Sequence, residues 1–175
     1  MKKQQTKAAW TEIKSFLRYL IISAAVILLL ITFAVQRADV YGASMEPALK
    51  DGDIMLVDKL SYRFSQPERF DVIVFSYRYQ KGRYYTKRII GLPGETVQIK
   101  DGAVFIDGER LTDDVSTEWI KKSGRADEPV KLGEDEYFVL GDNRNYSSDS
   151  RDIDVGNIKQ DDIIGKIWLK VWPIG

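Results

Sequence analysis

The segments "FDVIVFSY" (residues 70–77) and "RYYTKRII" (83–90) alternate their side chains with a period closer to two than to 3.6. This period is typical of β-strands, in which successive side chains point to opposite faces. Five other segments share it: "DIMLVDKL" (53–60), "ETVQIK" (95–100), "AVFID" (103–107), "EYFVL" (136–140) and "IIGKIWLKVW" (163–172). Short strands punctuated by Gly, Pro and Asp predict a mainly β domain over residues 37–175, an all-β barrel or sandwich.

One polar segment interrupts the strand pattern. Residues 109–133, "ERLTDDVSTEWIKKSGRADEPVKLG", are rich in turn-forming and charged residues. Such a composition between strands is typical of connecting segments. We therefore expect a loop or a small insertion here.

The N-terminal region predicts a membrane anchor. "YLIISAAVILLLITFAV" (19–35) contains no charged residue, whereas residues 1–18 contain five basic residues and one acidic residue. A helix of this length nearly spans a bilayer, and basic flanks stay in the cytoplasm. We expect a cytoplasmic segment at 1–18, a single-pass transmembrane helix at 19–36, and an extracytoplasmic domain at 37–175. A cleaved signal peptide is the alternative, but its apolar region is usually shorter and no small-x-small site follows.

The composition narrows the possible chemistry. The chain contains no histidine and no cysteine, which excludes Ser-His-Asp triads, Cys-His dyads and structural zinc sites. Lys plus Arg equals Asp plus Glu, at 26 each, so no bulk charge indicates a nucleic acid partner. A carboxylate site for calcium would have to use Asp149, Asp152 and Asp154, but this cluster lacks the correctly placed glycine and the terminal Glu of an EF-hand loop.

Ser44 lies in a sequence context that suits a nucleophile. In "VYGASMEPALKDGD" (40–53) it follows Gly42 and Ala43, and Pro47 disfavours a helix immediately before that proline. A serine nucleophile needs a base, and without histidine that base must be Lys, Asp, Glu or Tyr.

A lysine base must be buried, because burial lowers the pKa of an amine from about 10.4 towards neutrality. Alternation places Lys87 on one strand face with Tyr85 and Ile89. Lys166 and Lys170 share a face with Trp168 and Trp172, and we expect these lysines to point outward, with a core face formed by Ile163, Ile167, Leu169 and Val171. The two tryptophans would then lie in the membrane interface or pack under the polar segment. Alternation alone leaves open whether Lys87 is buried.

Three motifs behind the anchor resemble those of type I signal peptidases, the membrane-bound Ser-Lys endopeptidases of bacteria, in their short Gram-positive form. The motifs are "SMEP" (44–47), "YTKRIIGLPGE" (85–95) and "GDNRNYSSDSR" (141–151). The resemblance implies that Ser44 is the nucleophile, Lys87 the general base and Ser147 a residue that hydrogen-bonds and orients the lysine. It implies a bracing set of Arg88, Asp142, Arg144, Asp149 and Arg151, with Asp142 paired to Arg144 or Arg88, and a substrate pocket of Met45, Leu49 and Tyr85.

The resemblance also implies the substrate and the setting. The partners would be secretory preproteins, cut after small residues in an A-x-A-type site, and the lipid bilayer. No metal or cofactor is expected. Some family members carry a serine at the position of Gly42, where its hydroxyl helps to hold the oxyanion. Two alternatives are a membrane-tethered β-domain without catalysis and a Ser-Lys protein that cleaves only itself.

Overall fold

The computed structural model describes residues 2–80 and 82–173. The chain divides into two compact units, Met1–Gln36 and Arg37–Gly175. The first unit contains one long helix, α1 (Lys2–Ala34). Its segment Glu12–Ala34 is long enough to cross a membrane and includes an 18-residue stretch with a mean hydropathy of 2.4. The helix ends at Ala34, so Val35 and Gln36, expected at the end of the anchor, lie in a strand.

The second unit is built mainly of β-strands, which confirms the predicted fold class. With Val35 and Gln36 from the first unit, the strands are β1 (Val35–Asp39), β2 (Ile54–Asp58), β3 (Val72–Ser76), β4 (Tyr84–Gly91), β5 (Thr96–Lys100), β6 (Ala103–Ile106), β7 (Glu109–Arg110), β8 (Val130–Lys131), β9 (Glu136–Leu140), β10 (Ile158–Lys159) and β11 (Ile163–Trp172). Short 3-10 turns lie at Ser61–Arg63, Gly124–Asp127 and Gln160–Asp162.

The strands form two sheets. The larger sheet has the order β1-β2-β11-β3-β4-β9-β10, and the smaller sheet has the order β7-β6-β5-β8. Within the described residues neither sheet closes on itself, so the barrel alternative is wrong. The polar segment 109–133 supplies both edge strands of the smaller sheet, β7 and β8, with an irregular stretch between them.

Strand β4 is buried on both faces, and this determines the surroundings of Lys87. Ile90 packs in a core cluster with residues of the smaller sheet, including Val97 and Ile99. Ile89 packs in a second cluster with Ile73 of β3. Burial of each such side chain contributes about 1.5–3 kcal/mol, so the strand is held firmly from both sides.

Strand β11 departs from simple alternation. Its pairing with β2 shifts register between Ile167 and Leu169 and again between Lys170 and Trp172. Each irregularity disrupts the regular alternation of faces. Leu169 and Val171 are therefore exposed, and their expected place in the core is wrong.

The polar and aromatic side chains of β11 also have defined places. Lys166 and Lys170 are partly exposed and form ion pairs with Asp71 (2.5 Å) and Asp53 (2.8 Å). The tryptophans of this strand, Trp168 and Trp172, are exposed at 66% and 61%. Packing of these rings under the polar segment is therefore wrong.

Candidate active site

Ser44 lies in a loop between β1 and β2 whose two ends are hydrogen-bonded together. Val40 N–H donates to the carbonyl of Asp53, and Gly52 N–H donates to the carbonyl of Val40, both at 2.9 Å. We call residues 41–51 the serine loop. Leu49 N–H donates to Met45 carbonyl (2.9 Å), so the loop contains one helical turn. Since Met45 and Leu49 are buried, this turn anchors the loop and leaves Ser44 partly accessible at its start.

The side-chain amine of Lys87 lies 2.7 Å from the hydroxyl oxygen of Ser44. Lys87 Nζ also donates to the carbonyl of Thr86 (3.0 Å) and lies 5.5 Å from the centroid of the Tyr85 ring. Only 5% of the Lys87 surface is exposed, so the burial that alternation left open is present. The structure thus joins two residues that are 43 positions apart in the sequence.

Burial lowers the pKa of Lys87 to about 8, from an ordinary value of 10.5. The nearby carboxylates of Asp149 and Asp142 act in the opposite direction, because negative charge stabilises the ammonium form. Desolvation is the larger effect. With this pKa, roughly a tenth of the amine is neutral at pH 7, and neutral amine is the form that accepts a proton.

Two of the expected bracing ion pairs are formed. Arg88 binds both carboxylate oxygens of Asp142, from Nε at 2.8 Å and Nη2 at 2.6 Å. Arg151 likewise binds both oxygens of Asp149 at 2.8 Å, and Asp149 also accepts the N–H of Gly141 at 3.0 Å. Both carboxylates are buried, and paired guanidinium groups offset their desolvation.

The expected pairing of Arg144 with Asp142 is wrong. Asp142 is occupied by Arg88, and Arg144 instead binds Asp114 through Nη1 (2.6 Å) and Nη2. The Arg144 side chain is only 1% exposed and that of Asp114 12%, so the guanidinium is buried and its partner is partly buried. Asp114 belongs to the polar segment, which contains several other acidic residues, and nothing in the sequence distinguishes it from them.

Ser147 does not form the hydrogen bond to Lys87 that was expected. Its hydroxyl is buried and has no hydrogen-bond partner among the described residues. A side chain added at Gly141 would collide with both this hydroxyl and the carbonyl of Ser44. The Ser147 hydroxyl and the carbonyl of Ser44 therefore lie close together, on the same side of Gly141.

Asn143 is a site residue that the sequence reasoning missed. Its main-chain N–H donates to the carbonyl of Ser44, and its side-chain amide donates to the carbonyl of Ala43, both at 3.1 Å. These bonds attach the "GDNR" segment to the serine loop. The residue lay inside a quoted motif, which was the available signal, but only its charged neighbours were considered.

The three expected pocket residues fall in two groups. Met45 and Leu49 pack in one core cluster with Val40 and Met55. Tyr85 packs against a different cluster and stacks on Tyr77 with ring centroids 4.9 Å apart. The Tyr85 ring also lies beside Lys87, as the distance between its centroid and Nζ shows.

The acidic residues 149, 152 and 154 do not converge on a common point. Asp149 is bound to Arg151, and Asp152 accepts a hydrogen bond from the Ser148 hydroxyl at 2.7 Å. Among the residues that the structure describes, no group of three or more acidic side chains is arranged to hold a metal ion.

Comparison with known proteins places the chain in a family. A family model described as signal peptidase, peptidase S26, matches residues 13–172. The chain is 34% identical to "Probable signal peptidase I-2" of Synechocystis sp., over 82% of this chain and 66% of that protein, slightly less than two thirds of its length. It is 33% identical to "Probable signal peptidase I-1" of the same organism, over 99% and 89%. It is 31% identical to "Signal peptidase I P" of Bacillus subtilis subsp. natto, over 94% and 91%.

These matches define a serine peptidase. The chain belongs to the signal peptidase family, peptidase S26.

Proposed function

We propose that this chain is a signal peptidase I that removes N-terminal signal peptides from translocated preproteins, cutting after small residues in an A-x-A-type site. The observation that carries the proposal is the 2.7 Å contact between the Ser44 hydroxyl and the buried amine of Lys87. The names of the relatives, "Probable signal peptidase I-2" and "Signal peptidase I P", support the substrate class.

The proposed reaction begins with neutral Lys87. Its amine takes the Ser44 hydroxyl proton while Oγ attacks the carbonyl carbon of the scissile peptide bond. The ammonium of Lys87 then protonates the departing amine, and the C–N bond breaks to leave an ester on Ser44. Lys87, neutral again, removes a proton from a water molecule as the water oxygen attacks the ester carbonyl carbon. The resulting ammonium returns this proton to Oγ of Ser44 as the ester bond breaks, and the signal peptide leaves with a new carboxyl group that ionises in water.

The negative oxygen of the tetrahedral intermediates needs hydrogen-bond donors. The N–H of Ser44 donates to no other described residue, so it is available for this purpose. Gly42 lacks the hydroxyl that some family members provide. A second donor, which is typically worth about 3 kcal/mol, would come from another main-chain group or from water.

The remaining site residues support this reaction without taking part in bond making. Arg88, Asp142, Arg144, Asp149 and Arg151 hold the segment that carries Ser147, and Ser147 would orient the Lys87 amine once its hydroxyl rotates towards it. An extended substrate would add alongside the serine loop and β4. Met45, Leu49 and Tyr85 would then limit the pocket before the cut to small side chains.

The proposed setting is the outer face of a cell membrane. The apolar part of α1 would anchor the chain as a single pass, with residues 1–18 in the cytoplasm and 37–175 outside. The exposed rings of Trp168 and Trp172 suit the membrane–water interface, which is enriched in tryptophan.

Cleavage of a preprotein tests the proposal. The full-length protein in detergent should cut a preprotein carrying an A-x-A site, and sequencing of the product should place the cut after the second small residue. Ser44→Ala and Lys87→Ala should abolish cleavage, whereas the control Lys100→Ala, which changes an exposed strand lysine, should retain it. Cleavage by the Ser44→Ala variant would contradict the proposal, and so would an intact preprotein with the wild type.

A further inference from the structure

We propose that a cavity beside the serine loop binds an acidic side chain of the preprotein, within the first few residues after the cut. This inference rests on the proposed function. It adds a determinant of specificity in the part of the substrate that lies C-terminal to the scissile bond.

The cavity lies between the polar segment and the loop that follows β9. Its volume is about 310 Å³, and one wall is formed by Lys121, Lys122 and Gly124. The other wall comes from residues 144–147, 151 and 152. A volume of this size is at the lower end of the range of ligand pockets, and it suits a single side chain.

The two walls are held together by hydrogen bonds to the main chain. Lys121 N–H donates to the side-chain oxygen of Asn145 (2.9 Å), and Arg151 Nη1 donates to the carbonyl of Lys122 (3.1 Å). Arg125 N–H donates to the carbonyl of Arg151 (2.9 Å). The cavity is thus formed before any ligand arrives, which reduces the entropic cost of binding.

The side chains of the cavity that form no ion pair within the described residues carry a net positive charge. Arg144 and Arg151 are neutralised by Asp114 and Asp149. Lys121 and Lys122 are exposed and form no ion pair with any residue in the described part of the chain. Asp152 also lines the cavity without an ion pair, and its carboxylate accepts a hydrogen bond from the Ser148 hydroxyl (2.7 Å). Two lysines against one carboxylate give the preformed cavity an excess of positive charge, which favours a carboxylate ligand over a cationic one.

The cavity adjoins the dyad through Ser147. This residue lines the cavity, and its buried, unpartnered hydroxyl lies against Gly141 and the carbonyl of Ser44. None of the residues proposed to contact the side chain before the cut (Met45, Leu49 and Tyr85) lines the cavity. An extended substrate advances about 3.3 Å per residue. The first few residues after the cut are therefore close enough to Ser44 to reach the cavity.

The phosphate of an anionic lipid is the competing ligand for the two lysines. The peptide is favoured because the cavity adjoins the main chain of Ser44, where the substrate of the proposed reaction must lie. The lipid is therefore tested as an alternative outcome of the experiment.

The experiment measures kcat/KM for matched preproteins that carry Glu, Gln or Lys at each of the first three positions after the cut. Wild type should cleave the Glu form about fivefold faster than the Gln form at one or more of these positions, since a partly exposed ion pair contributes at most about a factor of five. Lys121→Glu or Lys122→Glu should abolish or invert this preference. Lys100→Glu, a charge reversal at an exposed strand lysine outside the cavity, should preserve it.

The wild type also tests the inference without any variant. Its preference for Glu over Gln should shrink as the salt concentration rises, because exposed charges are screened. This arm stays informative if a charge reversal prevents folding.

Each contrary outcome has a distinct meaning. Equal rates for the three substrates would overturn the inference while leaving the proposed function intact, as would a preference that survives both charge reversals. If the reversals weaken binding to vesicles containing phosphatidylglycerol but do not alter the substrate preference, the cavity binds lipid and the inference is wrong. Failure to cut even the Gln substrate would remove the proposed function, and the inference with it.

Discussion

Lys87 lies directly opposite Ile73 in the antiparallel pair formed by β3 and β4, and Ile73 has no exposed surface. This position takes the Lys87 amine out of water, and the resulting pKa of about 8 lies below the ordinary 10.5. The same burial that makes the amine a usable base also destabilises the folded state. Below pH 8 the fold must accommodate a buried ammonium group, whereas the unfolded chain carries it in water.

Lys87→Met should therefore stabilise the protein at pH 7 while abolishing cleavage. Because the unfolded chain binds the Lys87 proton more tightly, the penalty is fully present below pH 8. It disappears as the pH rises through 10.5, and over this window it amounts to at most about 3 kcal/mol. Thermal unfolding at pH 7 should give a higher Tm for the variant than for wild type. Lys100→Met is the matched control, and a Tm for Lys87→Met at or below wild type would contradict the expectation.

Asp114→Ala should destabilise the fold by about 3–5 kcal/mol, because it leaves the buried guanidinium of Arg144 without its partner. The adjacent Asp113 is exposed and supplies a matched control, since Asp113→Ala removes the same charge without touching Arg144. Denaturant unfolding of both variants checks this. Equal stabilities for the two variants would show that the pair does not stabilise the fold.

Gly42→Ala should cost about 1 kcal/mol of stability, because Gly42 has a φ of +80°, where a residue with a Cβ atom is strained. The added methyl meets no atom within 4 Å, so the loss reflects backbone conformation and not a collision. Gly42→Asn should lose less, since asparagine tolerates this region better. Thermal unfolding distinguishes the two variants, and equal losses would indicate a cause other than φ.

The longer strands of the second unit could be predicted from the sequence, because side chains that alternate between the two faces of a strand produce a pattern with a period of two. The exposure of Leu169 and Val171 could not, since it follows from two shifts of register between β11 and β2 that depend on the partner strand. The strands β1, β7, β8 and β10 could not be predicted either. The last three are only two residues long, which is too short to show a period, and β1 begins inside the segment expected to be the membrane anchor.

The residues of the candidate site likewise include some that the sequence could predict and some that it could not. Ser44 and Lys87 could be selected because the absence of histidine left few bases and because the surrounding motifs resemble those of a known family. Asp114 and Asn143 could not, because a salt bridge across 30 residues and a hydrogen bond across 100 residues leave no local pattern. Their roles depend on how loops meet, and this depends on the packed fold.

The pH dependence of kcat/KM for a preprotein with an A-x-A site tests the central claim most directly. If neutral Lys87 is the base for Ser44, kcat/KM should be nearly constant well above pH 8 and fall tenfold per pH unit well below it, because the folded-state pKa is about 8. A profile that stays flat down to pH 5 would contradict the account.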